Sequence, residues 1–417
     1  MSASDKAKEL VWRAERELQA VFSRIDAVEM VTQTRVLDAF RQERISSRHF
    51  APSTGYGYDD IGRDSLDKVF ALAMQAERAL VRPQFVNGTH ALYVTLAGLT
   101  EPGDAVLSIT GAPYDTLEQA IGVRGDQPNS LKRQGIDFRC LPMGDDGSLA
   151  LPVCLEALKD PAVRIVYLQR SRGYAWREAL SPLAMRAAFE IIRAERPDIT
   201  ILVDNCYGEF TDVCEPCQYG ADVIAGSLIK NPGGGLAPTG GYVAGTNECI
   251  ERVAQRYSVP GMGAEVGSYA GDYRLFFQGL FLAPHTTAQC MKGSALFARV
   301  LEVLGMETMP ESREQRHDII QAIRFKTAEE LITFCRTIQR AGPVDSFVKP
   351  EPWAMPGYVT PVIMAAGTFV QGATSELSAD GPLCEPYTAY LQGALTYAHA
   401  RIAAMMVCEE LISARSE

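Results

Sequence analysis

The sequence predicts an α/β protein built on a largely parallel sheet with helices on both faces. Two observations carry this reading. Between about Asp64 and Gly245, short apolar runs alternate with helix-patterned segments, which is the signature of strands joined by covering helices. The residues able to do chemistry then fall just after those runs, at the carboxyl ends of strands, where such sheets bind ligands. The 417 residues are too many for one simple core and imply a large domain with a smaller one beside it.

Each element follows in order. From about Lys6 to Arg44 apolar residues recur at helical spacing (Leu10, Val11, Ala14, Leu18, Val21, Phe22, Ile25), giving one or two amphipathic helices. Ser53 to Arg63, S-T-G-Y-G-Y-D-D-I-G-R, is a glycine-rich loop. A helix from Asp64 leads to the apolar run at Ala79–Val86, the turn N-G-T-H and a helix from Ala91. Strands are expected at Asp104–Ile109, Val163–Gln169 and Ile199–Asn205, with helices at Thr116–Gly122 and Ser181–Ala194 between them; Ala221–Ser227 and Gly240–Gly245 close the series. Gly279–Pro284 breaks the pattern. Beyond it come a helix near Ala288–Leu304, a proline-rich segment at Pro343–Pro361 and a helical tail from Tyr387. The expected division is an N-terminal helical arm and loop over 1–63, a large domain over 64–285 and a small one over 286–417.

Composition excludes several function classes. A net charge of −11 leaves no basic surplus to neutralise nucleic-acid phosphates. No apolar run approaches the ~20 residues that span a bilayer, and the first residues lack a hydrophobic signal core, so a cytoplasmic protein is expected. The ten cysteines are scattered. Cys214-Glu-Pro-Cys217 has no second pair to complete a zinc site, and the five histidines show no ligand spacing, so no metal is expected.

The chemistry gathers at strand ends. Asp204 closes the run I-L-V-D-N, where a carboxylate is costly to bury unless a cation meets it. Lys230 ends a later apolar run, G-S-L-I-K-N-P-G-G-G-L-A-P-T-G-G-Y. Either alone reads as an ordinary turn residue. Together they form the constellation of a pyridoxal-phosphate (PLP) enzyme, with Lys230 making the imine and Asp204 pairing the pyridinium. Apolar surroundings would lower the Lys230 pKa. The following glycines would let the backbone approach a flat cofactor. Val86–Leu92, V-N-G-T-H-A-L, supplies a helix N-terminus for a phosphate, with Gly88 and Thr89 as candidates and Ser227 as a further donor. His90 reads as catalytic or structural. Tyr114, in T-G-A-P-Y-D-T-L, could stack on the pyridine or be a plain turn residue. Arg170 and Arg172 follow the strand Val163–Gln169 and could clamp an α-carboxylate.

The lysine motif, with V-D-N-C-Y-G-E-F, Q-R-S-R-G-Y-A-W-R and G-T-F-V-Q-G, resembles the aluminium-resistance or methionine gamma-lyase-like family, relatives of the cystathionine beta- and gamma-lyases. The resemblance covers nearly the whole chain and implies the fold-type I PLP-dependent architecture, aspartate aminotransferase-like, with a smaller C-terminal α/β domain. It implies that Lys230 is the acid/base at Cα, that Tyr114 stacks and assists proton transfer, and that Gly88, Thr89 and Ser227 hold the phosphate. Tyr56, Tyr58 and Arg63 would cross to a neighbouring subunit's phosphate, making a homodimer the minimum unit and a tetramer the expected assembly. Asn87 stands where a serine is expected and Cys384 where an arginine is usual. The implied activity is β- or γ-elimination of a sulfur or halide leaving group from an amino acid. Gamma-replacement, aminotransfer, racemisation and non-catalytic PLP binding remain as alternatives. A nucleotide-binding module is excluded, since G-G-G-L-A-P-T-G lacks both nucleotide-loop patterns.

Overall fold

The computed structural model describes residues 2–144, 147–355 and 360–414. Residues 356–359 of the proline-rich segment, and the ends of the expected 1–63 and 286–417 regions, lie outside the described residues. Helices α1 (Ala3–Glu17) and α2 (Gln19–Gln42) open the chain, divided at Leu18, and α3 (Ile61–Ala73) follows the glycine-rich loop. The alternating region runs β1 (Arg78–Arg82), α4 (Gly88–Leu99), β2 (Ala105–Ser108), α5 (Asp115–Ile121), β3 (Asp137–Cys140), α6 (Leu151–Ala157) and β4 (Val163–Gln169). It continues through α7 (Pro182–Glu195), β5 (Thr200–Asp204), β6 (Val223–Ser227), β7 (Gly241–Gly245) and α8 (Asn247–Tyr257). After α9 (Arg274–Val303) come β8 (Glu307–Met309), β9 (Gln321–Arg324), α10 (Ala328–Ala341), β10 (Val362–Ala365), β11 (Ser378–Pro382), β12 (Thr388–Gln392) and α11 (Tyr397–Ala414).

The central sheet has seven strands in the order β1-β7-β6-β5-β4-β2-β3. It is parallel except for β7, which runs against both of its neighbours. Both faces are covered. In β5, Ile201 and Val203 enter one core, while Leu202 enters the core on the opposite face. A second, antiparallel sheet has the order β10-β11-β12-β9-β8 and its own apolar core. The N-terminal arm joins that second core through Ala7, Val11, Ala14 and Leu18. No described helix is long and apolar enough to cross a membrane, and among the described residues no cluster of His, Cys, Asp and Glu could hold a metal ion.

Three expectations change. The helical tail expected from Tyr387 begins only at Tyr397, because Thr388–Gln392 pairs into the second sheet as β12. Gly279 and Pro284 do not interrupt the chain: α9 runs 30 residues straight through them. Gly279 is there for close packing. A Cβ on it would lie 2.3 Å from the carbonyl oxygen of Gly233, in the glycine run after Lys230. The reverse holds for Gly234, at φ +54°, whose Cβ would lie 2.2 Å from the Gly279 oxygen. A Cβ on Gly233 would meet the Leu228 oxygen at 1.8 Å. The glycines that follow the lysine thus admit a helix backbone, which is a different reason from the flat cofactor that the sequence suggests.

Alanine is the better helix former, yet Gly279→Ala is expected to destabilise the protein by about 1–3 kcal/mol through overpacking. Thermal unfolding checks this, and an unchanged or raised midpoint would show that the two backbones do not meet so closely.

Candidate active site

A cavity of about 520 Å³ lies between the carboxyl ends of the parallel strands and one face of the second sheet. Lys230, Asp204, Tyr114 and Arg172 line it from the large domain; Asp380 and Tyr390 line it from the other side. The register explains part of this. Gln169 pairs with Asp204, and Asp204 with Ala225, so β4, β5 and β6 end side by side. The Gln169 side chain then accepts from the Tyr114 backbone N–H at 3.1 Å and holds that loop over the strand ends.

Asp204 is buried. Its carboxylate accepts from the Cys206 N–H at 3.1 Å and from the Tyr167 hydroxyl at 3.4 Å. Burial pushes its pKa up, and Lys230 and these donors only partly offset that. An acid so placed is stabilised by any cation that reaches it. Lys230 follows β6, and its Nζ lies 3.9 Å from the centre of the Tyr207 ring. Tyr207 takes φ +69°, a left-handed conformation that a bulky residue rarely adopts. The Asn231 side chain stabilises that turn, donating to the Tyr207 and Glu209 carbonyls at 3.0 Å each. One asparagine thereby ties the lysine loop to the aspartate loop.

The surroundings of Lys230 correct the expectation of a lowered pKa. Burial does act in that direction. The acidic groups around the amine, Cys206, Tyr207, Asp204 and Tyr114, outweigh it and hold the ammonium well above its ordinary value. Tyr114 moves upward too, chiefly through burial and then through Asp204, so it stays a neutral phenol.

Beside the cavity lies a cradle of small and hydroxyl residues. The Tyr114 hydroxyl donates to Thr89 Oγ1 at 2.7 Å, in the first turn of α4. A Cβ on Gly88 would sit 3.2 Å from the Ser227 Cβ and 3.5 Å from the Cys206 Sγ, so a side chain there would be a tight fit. The Ser227 hydroxyl is buried with no hydrogen-bond partner among the described residues. A buried hydroxyl left unpaired beside a helix N-terminus fits an anion. Asn87 is the N-cap of α4, its side chain accepting from His90 N–H at 2.9 Å; asparagine and serine are near-equivalent in that role. His90 is structural: its Nδ1 takes the Val86 N–H at 3.1 Å and its ring packs edge-on to Phe85. The donor set as a whole fits pyridoxal phosphate, with an acid for the ring nitrogen, an amine for the aldehyde, and a hydroxyl and helix terminus for the phosphate.

Other predicted residues lie elsewhere. Arg170 does not reach the cavity. It is fully buried, its guanidinium bonded to Asn205 at 2.8 Å, Asp212 at 2.9 Å and Thr211 at 3.1 Å, and Gly208 closes over it. Arg172 does line the cavity, oriented by the Met309 carbonyl at 2.6 Å and by Asp318 at 3.4 Å. The Tyr56 and Tyr58 rings stack 5.5 Å apart on the surface, outside the cavity of their own chain. Arg63 is buried and donates to Gly57 O at 2.7 Å, which shapes that loop. Cys384 is exposed and not among the lining residues. Sequence reasoning missed Tyr207, Asn231, Tyr167 and Asp380. The first two belong to motifs already singled out, V-D-N-C-Y-G-E-F and L-I-K-N-P, so their proximity to the key residues was an available signal.

Beneath Asp204 lies a buried polar layer. Glu215 accepts from Asn205 at 3.1 Å and from the Phe210 N–H at 2.9 Å, with Arg35 and Arg170 each 3.5 Å away. Next to it Glu209 accepts from the Tyr242 hydroxyl at 2.8 Å, while its other oxygen has no partner. Burial pushes the Glu209 carboxyl up to about 8.

Comparison with known proteins shows the family and the fold. Residues 7–412 match the family model described as methionine gamma-lyase. The Bacillus subtilis protein YnbB is 43% identical over 406 residues, covering 97% of this chain and 96% of that one. The crystal structure of a carbon-sulfur lyase involved in aluminum resistance from Clostridium novyi superposes with a TM-score of 0.94 at 48% identity, covering 97% of this chain and 96% of the other. The pyridoxal-5'-phosphate dependent protein YhfS from Escherichia coli shares the fold alone, with a TM-score of 0.62 at 17% identity over 94% of this chain and 97% of that one. The architecture is that of the fold-type I enzymes.

Glu209 yields a pH prediction. Between its ordinary value of 4.5 and about 8, the native state keeps a proton that the unfolded chain releases. Its contribution to stability is therefore complete at low pH and declines as pH rises through that window. Glu209→Gln is expected to flatten the fall in unfolding free energy, followed by urea denaturation across the window. An unaltered slope would mean that Glu209 is ionised in the native protein.

Proposed function

The chain belongs to the methionine gamma-lyase family, and we propose that it is a PLP-dependent lyase that removes a sulfur or halide leaving group from the β or γ carbon of an amino acid. The observation that carries this reading is the convergence of Lys230, Asp204 and Tyr114 on one cavity beside the Gly88–Thr89–Ser227 cradle. The C. novyi relative, named a carbon-sulfur lyase, supports sulfur as the leaving atom.

Gly88, Thr89 and Ser227 would hold the phosphate, Asp204 the ring nitrogen and Lys230 the aldehyde. Bound there, pyridoxal phosphate would supply an electron sink that acidifies the Cα–H of an attached amino acid. Asp204, raised by burial, is kept ionised by the cation it meets. Lys230 is the group placed to exchange the Cα proton, and the Tyr207 ring beside it restricts where its Nζ can lie. Tyr114 keeps its proton, because burial and the Asp204 charge oppose a phenolate. It is therefore present as a phenol that can donate a hydrogen bond to a departing thiolate, and Thr89 orients its hydroxyl. Arg172 is the guanidinium available to an α-carboxylate. Tyr56 and Tyr58, exposed on the loop that buried Arg63 shapes, would complete a neighbour's phosphate site, so the working unit would be a homodimer with shared sites, paired into a tetramer.

Protein expressed with ample pyridoxal phosphate should show a visible cofactor band that Lys230→Ala abolishes. The same variant should lose at least ~10²-fold in kcat. Ammonia and keto-acid release are assayed with amino acids bearing sulfur or halogen at Cβ or Cγ. Absence of the band in the unaltered protein sinks the cofactor assignment. A band without turnover on any of these compounds leaves a non-catalytic PLP-binding protein, and return of a new amino acid identifies a replacement reaction.

A further inference from the structure

One buried acid in the cavity has no place in the chemistry described so far. Asp380 lies at the middle of β11, S-A-D-G-P, paired across the sheet with Met364 of β10 and Tyr390 of β12. Cross-strand partners share a face, and all three line the cavity. The alternate position, Gly381, faces the other way, toward Leu331 of α10. Asp380 is only 8% exposed, and its Oδ1 is buried with no hydrogen-bond partner. Its carboxyl takes a hydrogen bond from the Tyr174 side chain, and among the described residues no ion pair reaches it. Its charge is felt at Tyr207, whose ring lies under Lys230. The acid lines, from the second sheet, the cavity that Lys230 lines from the large domain.

A carboxylate buried between a methionine and a tyrosine with an open lone pair is costly until a cation or strong donor reaches it. No lysine or arginine of the cavity wall does so: Arg172 is turned to Met309 and Asp318, and Lys230 to Tyr207. Asp380 is one of the residues lining the cavity, and a ligand is what enters there. We propose that Asp380 is a specificity residue that selects thioether amino acids whose leaving arm carries a second amino group, by pairing with that distal ammonium. This rests on the lyase reading for the orientation of the substrate. The cavity walls around the acid, Ile320, Met364, Ala365, Ala373 and Tyr390, supply apolar contact to the methylenes of the arm.

The test compares three ligands of similar length on the holoenzyme. They are S-(2-aminoethyl)-L-cysteine, S-propyl-L-cysteine and S-(2-carboxyethyl)-L-cysteine. Binding is measured by calorimetry at about pH 8, above the value of about 7 to which burial raises Asp380, where the carboxylate prevails. The aminoethyl compound is expected to bind ~10-fold or more tightly than its propyl isostere, as charge-assisted pairing in a desolvated site implies. Asp380→Asn should bring that ratio close to one, and Asp380→Glu should restore part of it. The readout is a ratio on one preparation, so a general loss of folding does not imitate it. Equal binding of the two isosteres, or a preference that survives Asp380→Asn, overturns the proposal. Tightest binding of the carboxyethyl compound also overturns it, since Asp380 would then be acting as a protonated donor. Ammonia release is followed in parallel. An ammonium preference without elimination leaves Asp380 in its role and sinks the lyase reading, whereas elimination without the preference does the reverse.

Discussion

Lys230 stands at the end of β6 on a backbone that could not be where it is with side chains attached. Gly233 and Gly234 lie against Gly279 of α9 at distances that leave no room for a Cβ on any of the three. Gly235, at φ +74°, is closed in by Leu395, just ahead of α11. The lysine loop is thus clamped between the large domain's strands and the helix that carries both apolar cores. The N-terminal half of α9 contributes Phe276, Phe277 and Leu280 to one core, and its C-terminal half contributes Leu296, Val300 and Leu301 to the other. A backbone contact of this kind has no rotamers to relax, so it transmits the position of α9 directly to the lysine.

The cavity's electrostatics follow from how the strands end. Parallel strands place Asp204 and Lys230 on one side without a full ion-pair network, because the Tyr207 ring and the Cys206 thiol occupy the neighbouring space. Burial then works on each group in turn, raising Asp204, Glu209 and Asp380. A site with this many acids biased toward the protonated form is prepared for cations from outside the chain. Asp204 and Asp380 face the cavity, while Glu209 belongs to the layer below and is satisfied on one oxygen by Tyr242.

Parts of this were legible in the residues and parts were not, for separable reasons. The strands β5 and β6 are mostly apolar runs, and a charged residue at or after the end of such a run is conspicuous, which is why Asp204 and Lys230 could be read as a pair. Asn87 looked like a departure and is an equivalent cap, since its carbonyl oxygen serves α4 as a serine hydroxyl would. Arg170 and Arg172 are two positions apart on one loop and looked alike. Only the packing of Gly208 against Arg170, and of Asp318 against Arg172, sends one guanidinium under the site and leaves the other on the cavity wall. Asp380 sits in D-G-P-L, which reads as a turn, because its strand is defined by the long-range partners Met364 and Tyr390.

What the sequence by itself determined is periodic or local: an alternating α/β architecture, a family-specific lysine motif, a helix-start glycine, and a composition with no basic surplus and no apolar run of membrane-spanning length. Those properties depend on neighbours within a few residues, where hydrophobic spacing and capping act. Only the tertiary structure decided which side chains face one another across the cavity. It set the glycine contact of residues 233–234 with residue 279, the Tyr207 ring beside the amine, and Asp380 on the cavity wall with one oxygen unbonded among the described residues. Each of these joins segments far apart in the chain. Their geometry is fixed by how two cores pack along α9, and local sequence patterns carry no record of that.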